Sequence, residues 1–248
     1  EAVTETFAAI FGTAPSLWAR APGRVDLMGS HTDYNLGHVM TMTIDRDTWI
    51  AASPRPDRRA SVHSMNLESG GEFSLDAIDH DANAPWTDYI RGMAQTLMEA
   101  GYPLSGANLL VHSTIPLSSG LSSSAAIEMA CGIAFQALGR FQLDPVKLAL
   151  LGQRAENAFV GVNCGILDQY SSALGQAGSA LLLDCRSLTS QIVPIAAGIR
   201  VVLCDTRAKR NLLGSEYGER RAQCEEGAAI LRRFDRRIQS LRDVSLEQ

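Results

Sequence analysis

The residues best suited to chemistry lie in Pro116-Leu117-Ser118-Ser119-Gly120-Leu121-Ser122-Ser123-Ser124-Ala125-Ala126-Ile127-Glu128. An apolar run, 107–115, precedes them and reads as a buried strand. Ala126, Met129, Ala130, Ile133, Ala134 and Ala137 follow at helical spacing. The polar segment is therefore a loop feeding a helix that spans about 121–138. Unpaired backbone N–H groups and the positive end of the helix dipole gather at such a start. A phosphate group fits there, and three consecutive serines add hydroxyls for phosphate oxygens or a magnesium ion. No lysine follows, which excludes the GxxxxGK[ST] loop. An ordinary serine N-cap has the same pattern, so the loop alone leaves both readings open.

Other titratable groups punctuate the chain. Trp18 to Gly29 reads as a strand broken by Pro22-Gly23, and Ser30 to Gly37 as a polar loop carrying His31 and Asp33. Glu156 falls near the end of a helix over 145–159. Loop 161–165 then leads into a helix beginning at Ile166-Leu167-Asp168.

The remaining elements must position these groups. A short helix is expected over 3–11, closed by Gly12. Strands are expected at 38–44, 48–52, 60–65 and 72–75, with residues 54–59 as a charged hairpin tip. A helix over 88–100 starts beside Trp86, and Gly101 stops it. Strands at 179–184 and 199–205 and a charged helix from about 215 to 233 complete the pattern. Strands come first and alternate with helices later, which predicts an α+β fold of helices layered on a mixed sheet rather than a doubly wound one.

Composition narrows the function. The 248 residues carry a formal net charge of −5, which argues against a nucleic-acid partner. No apolar run reaches the roughly 20 residues of a membrane helix, and no stretch reads as a signal peptide. The five cysteines are scattered and form no CxxC or zinc spacing, as expected of free thiols in a reducing cytoplasm. Nothing in the sequence sets an oligomeric state.

Three separated segments resemble the galactokinase family of the GHMP kinase superfamily. Gly23-Arg24-Val25-Asp26-Leu27-Met28-Gly29-Ser30-His31-Thr32-Asp33-Tyr34-Asn35 is similar to the galactokinase signature. Pro116 to Ala126 resembles the superfamily's phosphate-binding motif. Cys164-Gly165-Ile166-Leu167-Asp168-Gln169 resembles the segment that carries the family's catalytic aspartate. Ser215-Glu216-Tyr217, Arg220-Arg221 and Cys224-Glu225 are also similar. The resemblance implies a two-lobe GHMP-kinase-like fold with a left-handed βαβ crossover in the N-terminal lobe. Residues 1–195 would form that lobe, and 196–248 the start of a truncated C-terminal lobe.

The implied reaction moves the γ-phosphate of ATP to the anomeric C1 hydroxyl of a galactose-like sugar. Asp168 matches the base and Arg24 its partner; a structural Asp–Arg pair is the plain alternative. Pro116, Ser118, Ser119, Gly120, Leu121, Ser122, Ser123, Ser124 and Ala125 match the ATP-binding loop, with Trp86 near the adenine. Ser124 and Glu156 match the Mg²⁺ contacts. Ser30, His31, Asp33, Gly165 and Tyr217 fall at sugar contacts.

Two departures stand out. The family usually has glutamate at the position of Ser30, where it binds the C6 hydroxyl, so a sugar altered at C6, such as galacturonate or arabinose, is an alternative substrate. Family members are also longer and carry a third, glycine-rich motif not found here, so residues 1–248 are expected to be a fragment with reduced or absent activity. A non-catalytic sugar and ATP sensor is a second alternative. Homoserine or mevalonate as substrate is disfavoured by the His31-Thr32-Asp33-Tyr34 loop.

Overall fold

A computed structural model describes residues 2–117, 119–204 and 216–245. Helix α1 (Ala2–Phe11) leads into strand β1 (Leu17–Met28). Strands β2 (His38–Pro54), β3 (Arg59–Ser64) and β4 (Ser69–Ser74) follow, then α2 (Asp88–Glu99) and β5 (Ala107–Ser113). Helices α3 (Ser123–Gly139), α4 (Pro145–Arg154) and α5 (Leu167–Leu174) come next. Strands β6 (Ser179–Asp184) and β7 (Thr189–Pro194) and helix α6 (Glu216–Arg232) close the series.

The strands form one seven-stranded mixed sheet in the order β4-β3-β5-β2-β6-β7, with β1 also paired to β2. Strand β2 is the hub. Its residues 40–52 pair with β1 along one edge, while the opposite edge is shared by β5 at 48–54 and β6 at 38–41. The pairing of β3 with β5 is parallel, and the chain crosses between them through β4 and α2. This is the expected α+β architecture.

Side-chain alternation assigns the two faces of the sheet. Ile50, Ala52, Leu109, Val111, Leu181 and Leu183 face the main core, which α2, α3, α4 and α5 cover. Ala51 and Leu110 point the other way and meet Phe7 of α1. Residues 107–111 of β5 are thus buried on both faces, which is why its apolar run is continuous.

Several expectations are corrected. Residues 38–44 and 48–52 belong to one 17-residue strand, because Asp45 to Asp47 continue the backbone past an exposed stretch. Residues 54–59 are no hairpin tip: β5 lies between β2 and β3, and the Arg55 guanidinium is tied to Asp57 and Glu72. Residues 199–204 form no strand, and Ile199, Val201, Val202 and Leu203 are exposed apolar side chains. The sequence reading also missed β7, whose polar, mostly exposed residues give little apolar alternation. Ser118, Ser215 and residue 205 lie outside the described residues. Among the described residues no helix is long and apolar enough to cross a membrane.

Candidate active site

The site begins at a shift of register in β1. Pairing with β2 slips between Pro22 and Arg24, so the Pro-Gly pair bends the strand without ending it. A side chain at Gly23 would sit 2.8 Å from the Leu121 carbonyl oxygen, so only glycine lets β1 approach the serine loop this closely. The Arg24 backbone N–H donates to that same carbonyl at 3.2 Å. Strand and loop are thereby locked together.

Arg24 then reaches across to α5. Its Nε and Nη2 donate to Asp168 Oδ1 at 2.8 and 2.5 Å, and its Nη1 donates to the Gly120 carbonyl oxygen at 2.9 Å. Ser122 Oγ donates to the other carboxylate oxygen of Asp168 at 2.6 Å. Asp168 sits in the first turn of α5, where the helix dipole favours negative charge. One guanidinium and one hydroxyl therefore fix both oxygens of a carboxylate that is still partly open to solvent.

Helix α3 begins at Ser123, two residues later than the spacing predicted, because Ser122 adopts a left-handed conformation (φ 59°). No side chain caps its first turn. The N–H groups there are available to an anion, as the phosphate reading requires. Ser119 instead closes its own turn, donating to the Pro116 carbonyl oxygen at 2.7 Å. Gly120 (φ 75°), Leu121, Ser123, Ser124 and Ala125 frame the same turn.

Behind Asp168 lies a group of buried polar side chains. Residues 155–160 widen from α-helix into a π-helical turn that ends at Gly161, in place of the straight helix expected to 159. Such turns commonly accompany functional sites. This one carries Glu156, which is only 3% exposed and lies near the Ser124 hydroxyl. Burial, and then the nearby Asp168 charge, push its carboxyl up to about 7. The Gln169 amide nitrogen donates to Glu156 at 2.6 Å and to Glu128 at 2.9 Å. Glu128 is fully buried, and burial raises its carboxyl well above the usual range. A Ser124 hydroxyl beside a Glu156 carboxylate is a hard-oxygen pair, the donor type that Mg²⁺ prefers.

On the other side of Asp168 the polar loop closes in. Asp33 is buried, and that burial raises its carboxyl above the usual value, while backbone N–H groups of Tyr34 and Leu167 oppose the shift. A Cβ at Gly165 would collide with the Asp33 carboxylate, so residue 165 must be glycine for the loops to meet. The Gly165 N–H donates to the Tyr217 hydroxyl at 3.4 Å. The Tyr217 ring packs on His31 and Tyr34, with centroids 5.0 and 5.4 Å away, and His31 Nδ1 lies 2.7 Å from the Tyr34 hydroxyl. Ser30 is exposed at the head of this loop.

The structure thus gathers Arg24, Ser122, Ser124, Glu156, Asp33, Gly165, His31 and Tyr217 on the two sides of Asp168. Trp86 takes another course. Its indole N–H donates to Ser69 Oγ at 3.0 Å and its ring packs on the main core. Among the described residues no hydrogen bond ties it to the serine loop. Glu128, Gln169 and Tyr34 stand inside the segments the sequence singled out but were given no role of their own. A lone glutamate in the alanine- and methionine-rich run of α3 was the available signal for the first.

The chain is similar to known proteins in both sequence and fold. A model described as the galactokinase galactose-binding signature matches residues 5–54, and one for the GHMP kinase N-terminal domain matches residues 88–176. A galactokinase from Chloroflexus aggregans is 52% identical over 238 residues, 96% of this chain and 61% of its own length. One from Roseiflexus sp. is 46% identical over 98% of this chain and 62% of its own. The chain therefore spans about six tenths of the curated relatives it matches. The crystal structure of Lactococcus lactis galactokinase complexed with galactose superposes with a TM-score of 0.87 at 37% identity, over 99% of this chain and 64% of that one. Methanococcus jannaschii mevalonate kinase, 21% identical over 73% of this chain and 56% of its own with a TM-score of 0.57, shares the fold. Taken with the superposition along nearly the full chain, the two family models show that the chain belongs to the galactokinase family of the GHMP kinase superfamily.

Proposed function

We propose that the protein is an ATP-dependent sugar kinase that phosphorylates the anomeric C1 hydroxyl of galactose or a galactose-like sugar. The observation that carries this reading is the Asp168 carboxylate, held by Arg24 and Ser122 beside an uncapped helix start. A sugar hydroxyl is a weak nucleophile at neutral pH, so a positioned base helps. Asp168 takes the proton from the C1 hydroxyl as that oxygen bonds to the γ-phosphorus. The bond from the γ-phosphorus to the bridging oxygen breaks, and ADP leaves with the electron pair. Arg24 orients Asp168, and its guanidinium offsets negative charge on the reacting oxygens.

In this reading Ser122 serves the base rather than a phosphate, since its hydroxyl is committed to Asp168. The N–H groups at the start of α3 and the turn 116–125 take the phosphates. Ser124 and Glu156 would hold a magnesium ion, which when bound would neutralise phosphate charge. Asp33 accepts hydrogen bonds from ring hydroxyls. His31 and Tyr217 wall the sugar, and Gly165 lets the Asp33 carboxylate come up beside them. Trp86 as an adenine contact draws no support from its hydrogen bond to Ser69.

We also propose that residues 1–195 form one lobe and that 196–248 belong to a second. The exposed apolar side chains from Ile199 to Leu203 support a surface that the rest of the whole protein covers. Free cysteines fit a cytoplasmic setting. The intact Arg24–Asp168 pair favours an enzyme over a sensor. The exposed hydroxyl of Ser30, with no charge of its own, favours testing sugars altered at C6. Incubation of the whole, full-length protein with ATP, Mg²⁺ and a sugar panel tests the kinase reading. Galactose 1-phosphate formation is the expected result; no phosphate transfer to any sugar would reject the kinase reading.

A further inference from the structure

Among the described residues Glu128 is the one fully buried carboxylate near the site to which the reaction above gives no task. It stands on α3, one helical turn beyond Ser124 and on the same face. Gln169 stands on α5 directly after Asp168, and Glu156 on the π-helical turn. Three elements distant in sequence thus converge on a single amide nitrogen, which donates to Glu128 Oε2 at 2.9 Å and to Glu156 Oε2 at 2.6 Å.

We infer that Glu128 is a positioning residue: by anchoring the Gln169 carboxamide it holds the Glu156 carboxylate in place for the divalent ion. The inference rests on the proposed role of Glu156 as a Mg²⁺ ligand. Both Gln169 amide hydrogens are spent on the two carboxylates, which fixes the plane of the amide. A terminal amide torsion is otherwise broad. Without Glu128 the amide is free to turn and release Glu156, and the Cys164 sulfur, 3.8 Å away, offers it another acceptor. Gly152 of α4 packs over the bridge: a Cβ there would collide first with Met129 Cε and would lie 3.2 Å from Gln169 Cγ and 3.5 Å from Glu128 Oε2. The arrangement also leaves Glu128 Oε1 and Gln169 Oε1 buried with no hydrogen-bond partner. Apolar side chains would fill this space without orphaned oxygens, so packing alone does not account for the choice of residues.

The test is calorimetric titration of Mg²⁺ into the protein saturated with a non-hydrolysable ATP analogue, alongside the sugar KM. Groups that orient a metal ligand typically contribute about 10–100-fold to metal affinity. Glu128→Leu is expected to weaken Mg²⁺ binding by about that factor with the sugar KM unchanged. Glu128→Gln keeps an acceptor for the bridge and should bind Mg²⁺ as the wild type does. If Glu128→Leu does not fold, Gln169→Met cuts the same bridge and should give the same loss. Unchanged Mg²⁺ affinity in the folded variant, whatever its Tm, would overturn the inference. Glu156→Gln separates the two ideas. If it leaves Mg²⁺ binding intact, the metal-ligand reading fails and this inference falls with it. If it weakens binding while Glu128→Leu and Gln169→Met do not, only the present inference fails.

Discussion

Two helix starts in this molecule solve the same problem in opposite ways. Helix α4 is capped by its own chain: Asp144 has extended backbone and accepts from the Val146 and Lys147 N–H groups at 2.9 and 3.3 Å, with Pro145 at the first helical position. Helix α3 has a serine in the capping place, yet Ser122 is left-handed and its hydroxyl leaves the helix for Asp168. The first start spends its polar side chain on stability. The second leaves its N–H groups open and spends the side chain on another residue's carboxylate. A small polar residue before a helix is therefore no guide to function by itself. What it bonds to decides.

The sharpest way to break the α3 arrangement is Arg24→Leu. It removes the guanidinium that spans Asp168 and the Gly120 carbonyl, and the loss of one charge-stabilising donor typically lowers kcat by about 10²–10³-fold. Steady-state kinetics at saturating sugar and ATP reads this directly. A drop confined to stability would instead make the pair structural.

Ser122 separates hydroxyl from backbone. A hydrogen bond to a charged group is worth about 1.5–3 kcal/mol, so Ser122→Ala should lower kcat by roughly 10–100-fold. Glycine relaxes the left-handed conformation, so Ser122→Gly should be more stable than Ser122→Ala and just as slow. If glycine restored the rate, the backbone rather than the hydroxyl would be what the α3 start contributes.

Asp33 shows the same trade of stability for chemistry. Burial raises its carboxyl, so the folded state holds that proton more tightly than the unfolded chain does. Its stabilising contribution is then complete below about pH 4 and is lost as pH rises through the folded value. Asp33→Asn should flatten this decline in melts taken from pH 4 to 8, leaving the variant more stable than wild type at neutral pH, while the sugar KM rises.

The smallest effect belongs to α4. Asp144→Ala should lower stability by about 0.5–2 kcal/mol, with kcat and both KM values unchanged. A changed ATP KM would show that the two helix starts are not separable.

Much of this was legible in the sequence, and the limits were physical. Periodicity placed α2, α3, β5 and β6 because each buries a regular face. It missed β7 because an exposed edge strand carries no apolar alternation, and it split β2 where Asp45 and Arg46 turn to solvent. The motifs paired Arg24 with Asp168, and the two side chains are hydrogen-bonded although 144 positions separate them. Residue types could not reveal that Ser122 is left-handed, since the αL region is set by the approach of β1 at Gly23 and the pull of Asp168. Nor could they show the π turn at 155–160, which has no composition of its own. Glu128 was hidden for a different reason. A glutamate four positions after Ser124 reads as surface until α4 and α5 are packed over it.

The central claim is that Asp168 is the base. ³¹P NMR of galactose incubated with ATP and Mg²⁺ should show a phosphate on C1 with the wild-type protein and none with Asp168→Asn at equal concentration. A variant that forms the sugar 1-phosphate at the wild-type rate would contradict the account.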